Sequence, residues 1–99
     1  MAALRFSRRA EADLLGVAEY TLRTWGKVQT ARYINALEAF CRTLADRPAL
    51  GRPCDEVRPG LRRMEQGKHV IFYRQQLTGI LIVRILHQSM LPKKHRGDG

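Results

Sequence analysis

Hydrophobic and polar positions change their period along the chain, and each change marks an element. Ala2 to Phe6 is a short apolar-leaning run closed by Ser7, whose hydroxyl suits a helix N-cap, so a brief strand leads directly into a helix. Ala10, Leu14, Val17, Ala18, Thr21, Leu22 and Trp25 then recur at helical spacing, while Arg9, Glu11, Asp13, Glu19 and Arg23 fall mostly on other faces. Gly26 stands where a C-cap glycine belongs. From about Val28 to Asp46 a second stripe runs through Tyr33, Ile34, Leu37, Phe40, Cys41, Leu44 and Ala45. So tight a connection predicts an antiparallel helical hairpin, with Tyr20 and Trp25 packed inside it.

Arg47-Pro48 ends the second helix, because proline disfavours helical geometry in the residue before it. Pro48, Gly51, Pro53 and Pro59-Gly60 then punctuate a loop of about a dozen residues, for which Leu50 is the expected anchor. Beyond it the period drops to two. Leu61 to Gln66, Lys68 to Arg74 and Ile80 to His87 are predicted strands, with turns at Gly67 and around Thr78-Gly79 short enough for an antiparallel meander. The expected architecture is α+β, in the order β-α-α-β-β-β, with the hairpin packed on one face of a four-stranded sheet. One domain spans residues 1–99, with about 92–99 a flexible basic tail.

The last two strands carry apolar residues on both faces. Val70 and Phe72 oppose Ile71 and Tyr73, and Leu81, Val83 and Ile85 oppose Ile80, Ile82 and Leu86. One helical hairpin covers one face only, so the other needs a partner chain, the 47–60 loop with the tail, or a second copy.

Charge sharpens this picture. The chain carries 18 Lys and Arg against 9 Asp and Glu, a formal net charge of +9. Residues 1–57 hold nine basic and seven acidic side chains, whereas residues 58–99 hold nine basic and two acidic. Such a field favours nucleic acid or an acidic protein as partner. No apolar leader opens the sequence, and no stretch approaches the roughly 18 apolar residues of a membrane span, so an unexported, cytoplasmic protein is expected. Cys41 and Cys54 do not form a disulfide framework and are expected as reduced thiols.

Candidate chemistry gathers on the strands. Arg62, Arg63, Glu65, Lys68, His69, Arg74, Arg84 and His87 could serve RNA cleavage, which needs a base, an acid and cationic stabilisation of the transition state. Glu65, Arg63, Arg84 and His87 would be the minimal set. His69, His87 and His95 lack paired ligand spacing, and no phosphate-cradling glycine loop is present, so neither metal nor cofactor is expected.

Several stretches resemble motifs of the RelE/ParE toxin superfamily. Ser7-Arg8-Arg9-Ala10-Glu11-Ala12-Asp13-Leu14 is similar to its S-x-x-A-x-x-D-L opening. Leu50-Gly51-Arg52-Pro53 and Arg58-Pro59-Gly60-Leu61-Arg62 resemble the ParE loop and second strand, and Gly67 to Arg74 the third. Val83-Arg84-Ile85-Leu86-His87-Gln88-Ser89-Met90 resembles the fourth strand and its exit. The resemblance spans residues 3 to about 91. It implies the toxin of a two-gene module, neutralised by a ParD-like antitoxin that wraps it. Within the superfamily RelE toxins cut messenger RNA on the ribosome, whereas ParE relatives poison DNA gyrase. RelE-type sites use a tail tyrosine or His-Tyr, but here Gln88 follows His87 and the tyrosines are Tyr20, Tyr33 and Tyr73. The ParE branch is therefore favoured, with RelE-type cleavage and a non-toxic nucleic-acid-binding module as alternatives. On this reading Arg62, Arg63, Arg84, His87, Lys93 and Lys94 face the target, and Trp25, Tyr33, Leu37, Phe72 and Arg84 contact the antitoxin.

Overall fold

The computed structural model describes residues 2–91. Strand β1 (Ala3–Phe6) runs into α1 (Arg8–Trp25), followed by α2 (Lys27–Asp46), a 3₁₀ turn (Pro48–Leu50) and a two-residue strand β2 (Arg52–Pro53). Strands β3 (Leu61–Gln66), β4 (His69–Gln76) and β5 (Gly79–His87) complete the sheet, and a second 3₁₀ turn (Gln88–Met90) leaves it. The architecture is α+β in the expected element order, with the expected helical hairpin and meander. Lys93, Lys94 and the expected basic tail lie outside the described residues.

Local chemistry accounts for the helix ends. Ser7 Oγ accepts from the Ala10 N–H at 3.0 Å, satisfying one of the first-turn donors of α1. Gly26, at φ 89°, adopts backbone that side chains disfavour, and its N–H closes α1 on the Leu22 carbonyl.

The sheet order is β1-β5-β4-β3-β2, with β1 parallel to β5 and the remaining pairs antiparallel. Two features correct the sequence expectation. The sheet has five strands, because Arg52 and Pro53 pair with Arg63 and Arg62. An irregularity in the β4–β5 ladder also interrupts strict alternation. Phe72 pairs with Arg84 but Tyr73 with Ile82, leaving Val83 unpaired as a β-bulge. Ile85 thus joins Ile80 and Ile82 on the helix side, while Val83 and Leu86 turn away.

The main core lies between hairpin and sheet, where Leu37, Cys41, Leu44 and Ala45 of α2 meet Ile71, Tyr73, Ile80, Ile82 and Ile85. Tyr20 and Trp25 do not pack there. They are 58% and 68% exposed: Tyr20 falls off the buried stripe of Ala10, Val17 and Thr21, and Trp25 lies beyond its last member. Leu50 is exposed as well. The loop anchor is Tyr73, whose hydroxyl donates to the Pro48 carbonyl at 2.7 Å and accepts from the Gly51 N–H at 2.8 Å.

Candidate partner-binding face

On the side away from the helices, the sheet register lines side chains up in rows. Arg63, Phe72 and Arg84 form one row across β3, β4 and β5; Leu61, Arg74 and Leu81 form the next; Glu65, Val70 and Leu86 a third. Cys54 folds in from the 47–60 loop and buries with Leu61, Val70 and Phe72. That loop therefore covers part of the second face. Val83, Leu86 and Leu91 complete this patch but remain half-buried, so an open groove with an apolar floor stays beside them. Its rim carries Arg8, Arg9, Arg58 and Lys68 against Glu56 and Glu65.

The groove is held in place by the N-terminal end of α1. Strand β1 pairs with β5 only as far as Ile82, so the β5 edge beyond it would expose unpaired backbone groups. Ser7 Oγ donates to the Val83 carbonyl at 2.8 Å. Asp13 accepts from the Ile85 N–H at 2.9 Å and from Arg84 Nε and Nη2 at 2.8 and 3.0 Å. Ala10, fully buried between them, lets α1 approach. Burial raises the Asp13 carboxyl's pKa, but the hydrogen bonds from Arg84 and Ile85 and the charge of Arg84 outweigh it and hold the group below its usual range. The same pair raises the pKa of Arg84.

These contacts revise several expected roles. Arg84 is committed to Asp13, with side chains only 30% and 14% exposed respectively, so it is foremost a fold-holding residue. Leu37, expected at a partner contact, is 1% exposed in the main core, because its position on α2 points into the sheet. Tyr33 is half-buried, its hydroxyl bonded to His69 Nδ1. Trp25 is exposed on the hairpin, away from the groove. Phe72 is 8% exposed at the groove floor. Arg62 reaches back to the Gly51 carbonyl, whereas Arg63 lies over the Phe72 ring, 5.5 Å from its centroid.

The candidate nuclease groups Glu65, Arg63, Arg84 and His87 all line the groove, but each has partners of its own. Glu65, opposite Val70, accepts from Arg52 and Arg63 at 2.9 and 3.1 Å, and these arginines overcome burial to lower its pKa. His87 packs edge-on against His69 at 5.2 Å, beside Tyr33 of α2, and its Nδ1 accepts from the Ser89 N–H. Burial and then His87 lower the pKa of His69. Asp13, which the sequence shows on a polar helix face and in the S-x-x-A-x-x-D-L stretch, carries a role that local pattern does not reveal, because its partners Arg84 and Ile85 lie more than 70 residues away.

Fold and face together define a small basic α+β protein built around one half-covered sheet surface. The family model described as the ParE toxin of the type II toxin-antitoxin system parDE matches residues 4–92. The chain belongs to this family. It is 42% identical to "Toxin ParE1" of Caulobacter vibrioides over 93 residues, covering 94% of this chain and 96% of that one. It is 39% identical to "Toxin ParE1" of Mycobacterium tuberculosis over 85 residues, covering 85% of this chain and 87% of that one. "Toxin ParE" of Escherichia coli is 36% identical over 91 residues, covering 91% and 88%. In fold the chain resembles a solved structure titled as a chromosomal ParDE TA system from P. aeruginosa, with a TM-score of 0.74 at 23% identity, covering 88% and 96%.

Proposed function

We propose that this ParE-family toxin is neutralised by a ParD-like antitoxin seated on the outer sheet face, and that the free toxin arrests growth by poisoning DNA gyrase in the cytoplasm. The carrying observation is the groove whose floor is apolar while basic residues dominate its rim. Apolar surface beside β5 favours burial by a partner, and the positive rim steers an acidic one. Membership of a toxin family whose modules pair toxin with antitoxin supports the same reading.

Action by binding rather than by RNA cleavage fits the side chains. Glu65 is tied to two arginines and is a weak base, Arg84 is held by Asp13, and His87 Nδ1 bonds Ser89, so the candidate groups that line the groove are already engaged. A poison need only hold one gyrase–DNA state more tightly than the others. Supercoiling and cleavage-complex assays with purified gyrase test this, with inhibition expected from the free toxin and relieved by the antitoxin. Unaffected gyrase together with ribosome-dependent mRNA cuts would transfer the chain to the RelE type.

A further inference from the structure

Two arginines on the outer face have donors without acceptors. The Nε atoms of Arg63 and Arg74 are buried and have no hydrogen-bond partner among the described residues. Arg63 gives one amino group to Glu65 and lies over Phe72, leaving its Nε unused. Arg74 stands between Leu61 and Leu81 in the adjacent row and makes no ion pair among the described residues. A charged donor withdrawn from water without an acceptor is costly, and Arg74, which lines the groove, can turn its guanidinium amino groups to a carboxylate laid there. Arg84, the third arginine of this face, already holds a carboxylate, that of Asp13.

We infer that Arg74, with Arg63 beside it, is a carboxylate-receiving site that anchors an Asp or Glu side chain of an apolar-acidic peptide segment laid along the groove. This rests on the outer face being the antitoxin's seat, and it names the anchor within that seat. Peptide is favoured over nucleic acid by the floor. The half-buried Val83, Leu86 and Leu91 offer apolar contact that a phosphate backbone does not use. Phe72, the aromatic member of the apolar cluster among the described residues, is 8% exposed and already faced by Arg63, so it offers no open platform for base stacking. The paired Arg84 cannot compete for the incoming group, because Asp13 holds it.

The test uses the full chain and the ParD-like antitoxin of the same module, with a single-stranded oligonucleotide as a second probe. Calorimetric Kd values and the Nε–Hε NMR signals of the arginines are read for the native chain, Arg74→Gln and Arg74→Leu. Antitoxin is expected to shift the Arg74 Nε–Hε signal, and Arg74→Gln to weaken binding on the order of 30-fold. Free Arg74→Leu should keep its melting temperature or gain, since an unsatisfied donor disappears. Antitoxin bound equally by Arg74→Gln, or a silent Nε signal, overturns the anchor while leaving the seat intact. No antitoxin binding by the native chain overturns the seat itself. Oligonucleotide, and not antitoxin, shifting Arg74 would make the ligand a phosphate and overturn the peptide assignment. A loss of stability with unchanged binding would assign Arg74 to the fold.

Discussion

Asp13 of α1 and Arg84 of β5, 71 positions apart, form a forked ion pair whose carboxylate also accepts the Ile85 backbone N–H at 2.9 Å. The pair sits where β1 has ended and β5 would otherwise show a bare edge. Replacing Asp13 by Ala strands a backbone donor and a partly buried guanidinium together. The expected loss is about 2–3 kcal/mol of unfolding free energy. Chemical denaturation measures it, and a loss under about 0.5 kcal/mol would show that water satisfies both donors.

The same carboxyl sets a pH dependence. Its pKa is lower in the folded chain than in the unfolded one, so folding favours the ionised form. The stabilisation is complete above the unfolded value of about 3.9 and drains away as pH falls through the lower folded value. Glu65 shifts in the same direction, but its side chain is 42% exposed and its pairs are screened by solvent. Denaturation midpoints followed from pH 7 downward should therefore fall in acid, and Asp13→Asn should flatten most of that slope.

Tyr73 fastens the 47–60 loop through one hydroxyl. Tyr73→Phe keeps the buried ring but leaves the Pro48 carbonyl and the Gly51 N–H without their partner. A cost of about 1–3 kcal/mol follows, with most of the disorder confined to the loop. Limited proteolysis should cut the variant first between residues 47 and 60, and unchanged loop protection would move the anchor elsewhere.

Periodicity made the helices and the strands legible, because Ala10, Val17 and Thr21, or Ile71 and Tyr73, face one way at intervals that local geometry imposes. It could not show where a stripe leaves the core. Leu22 and Trp25 continue the pattern of α1 yet are exposed, since only tertiary placement decides which turns reach the sheet. The bulge at Val83 was equally hidden, and with it the face of Ile85. Arg63 and Arg84 were visible as candidate residues, but Asp13's grip on Arg84 is non-local and removes that arginine from free service. Arg74 was visible among the strand residues that could serve RNA cleavage; its unpartnered Nε emerges from the packing around it.

Both cysteines should be inert in the folded chain. Burial and then Glu38 push the Cys41 thiol up to about 12, and burial and then Glu56 also raise Cys54. Thiolate is the reacting species, so little of it exists near neutral pH. Titration with a thiol-specific chromogenic reagent should find two reactive thiols in denaturant and almost none without it. Fast labelling of Cys54 in the native chain would show that the 47–60 loop opens readily.

Leu37 and Trp25 separate a stabilising residue from a surface one, although both carry large apolar side chains on the hairpin. Leu37 is 1% exposed among Leu44, Ile71 and Ile80 and makes no surface available to a partner. Leu37→Ala should remove about 3 kcal/mol of stability through lost burial and a residual cavity. Any fall in antitoxin binding would then follow the folded fraction. Trp25 is 68% exposed, so Trp25→Ala should leave stability within about 0.5 kcal/mol. Trp25 lies outside the groove between β3 and β5, and its loss should leave antitoxin affinity within threefold if the outer face is the principal seat. Urea denaturation and calorimetric titration of the two variants decide the matter. A stable Trp25→Ala chain that binds tenfold more weakly would extend the seat onto the helical hairpin.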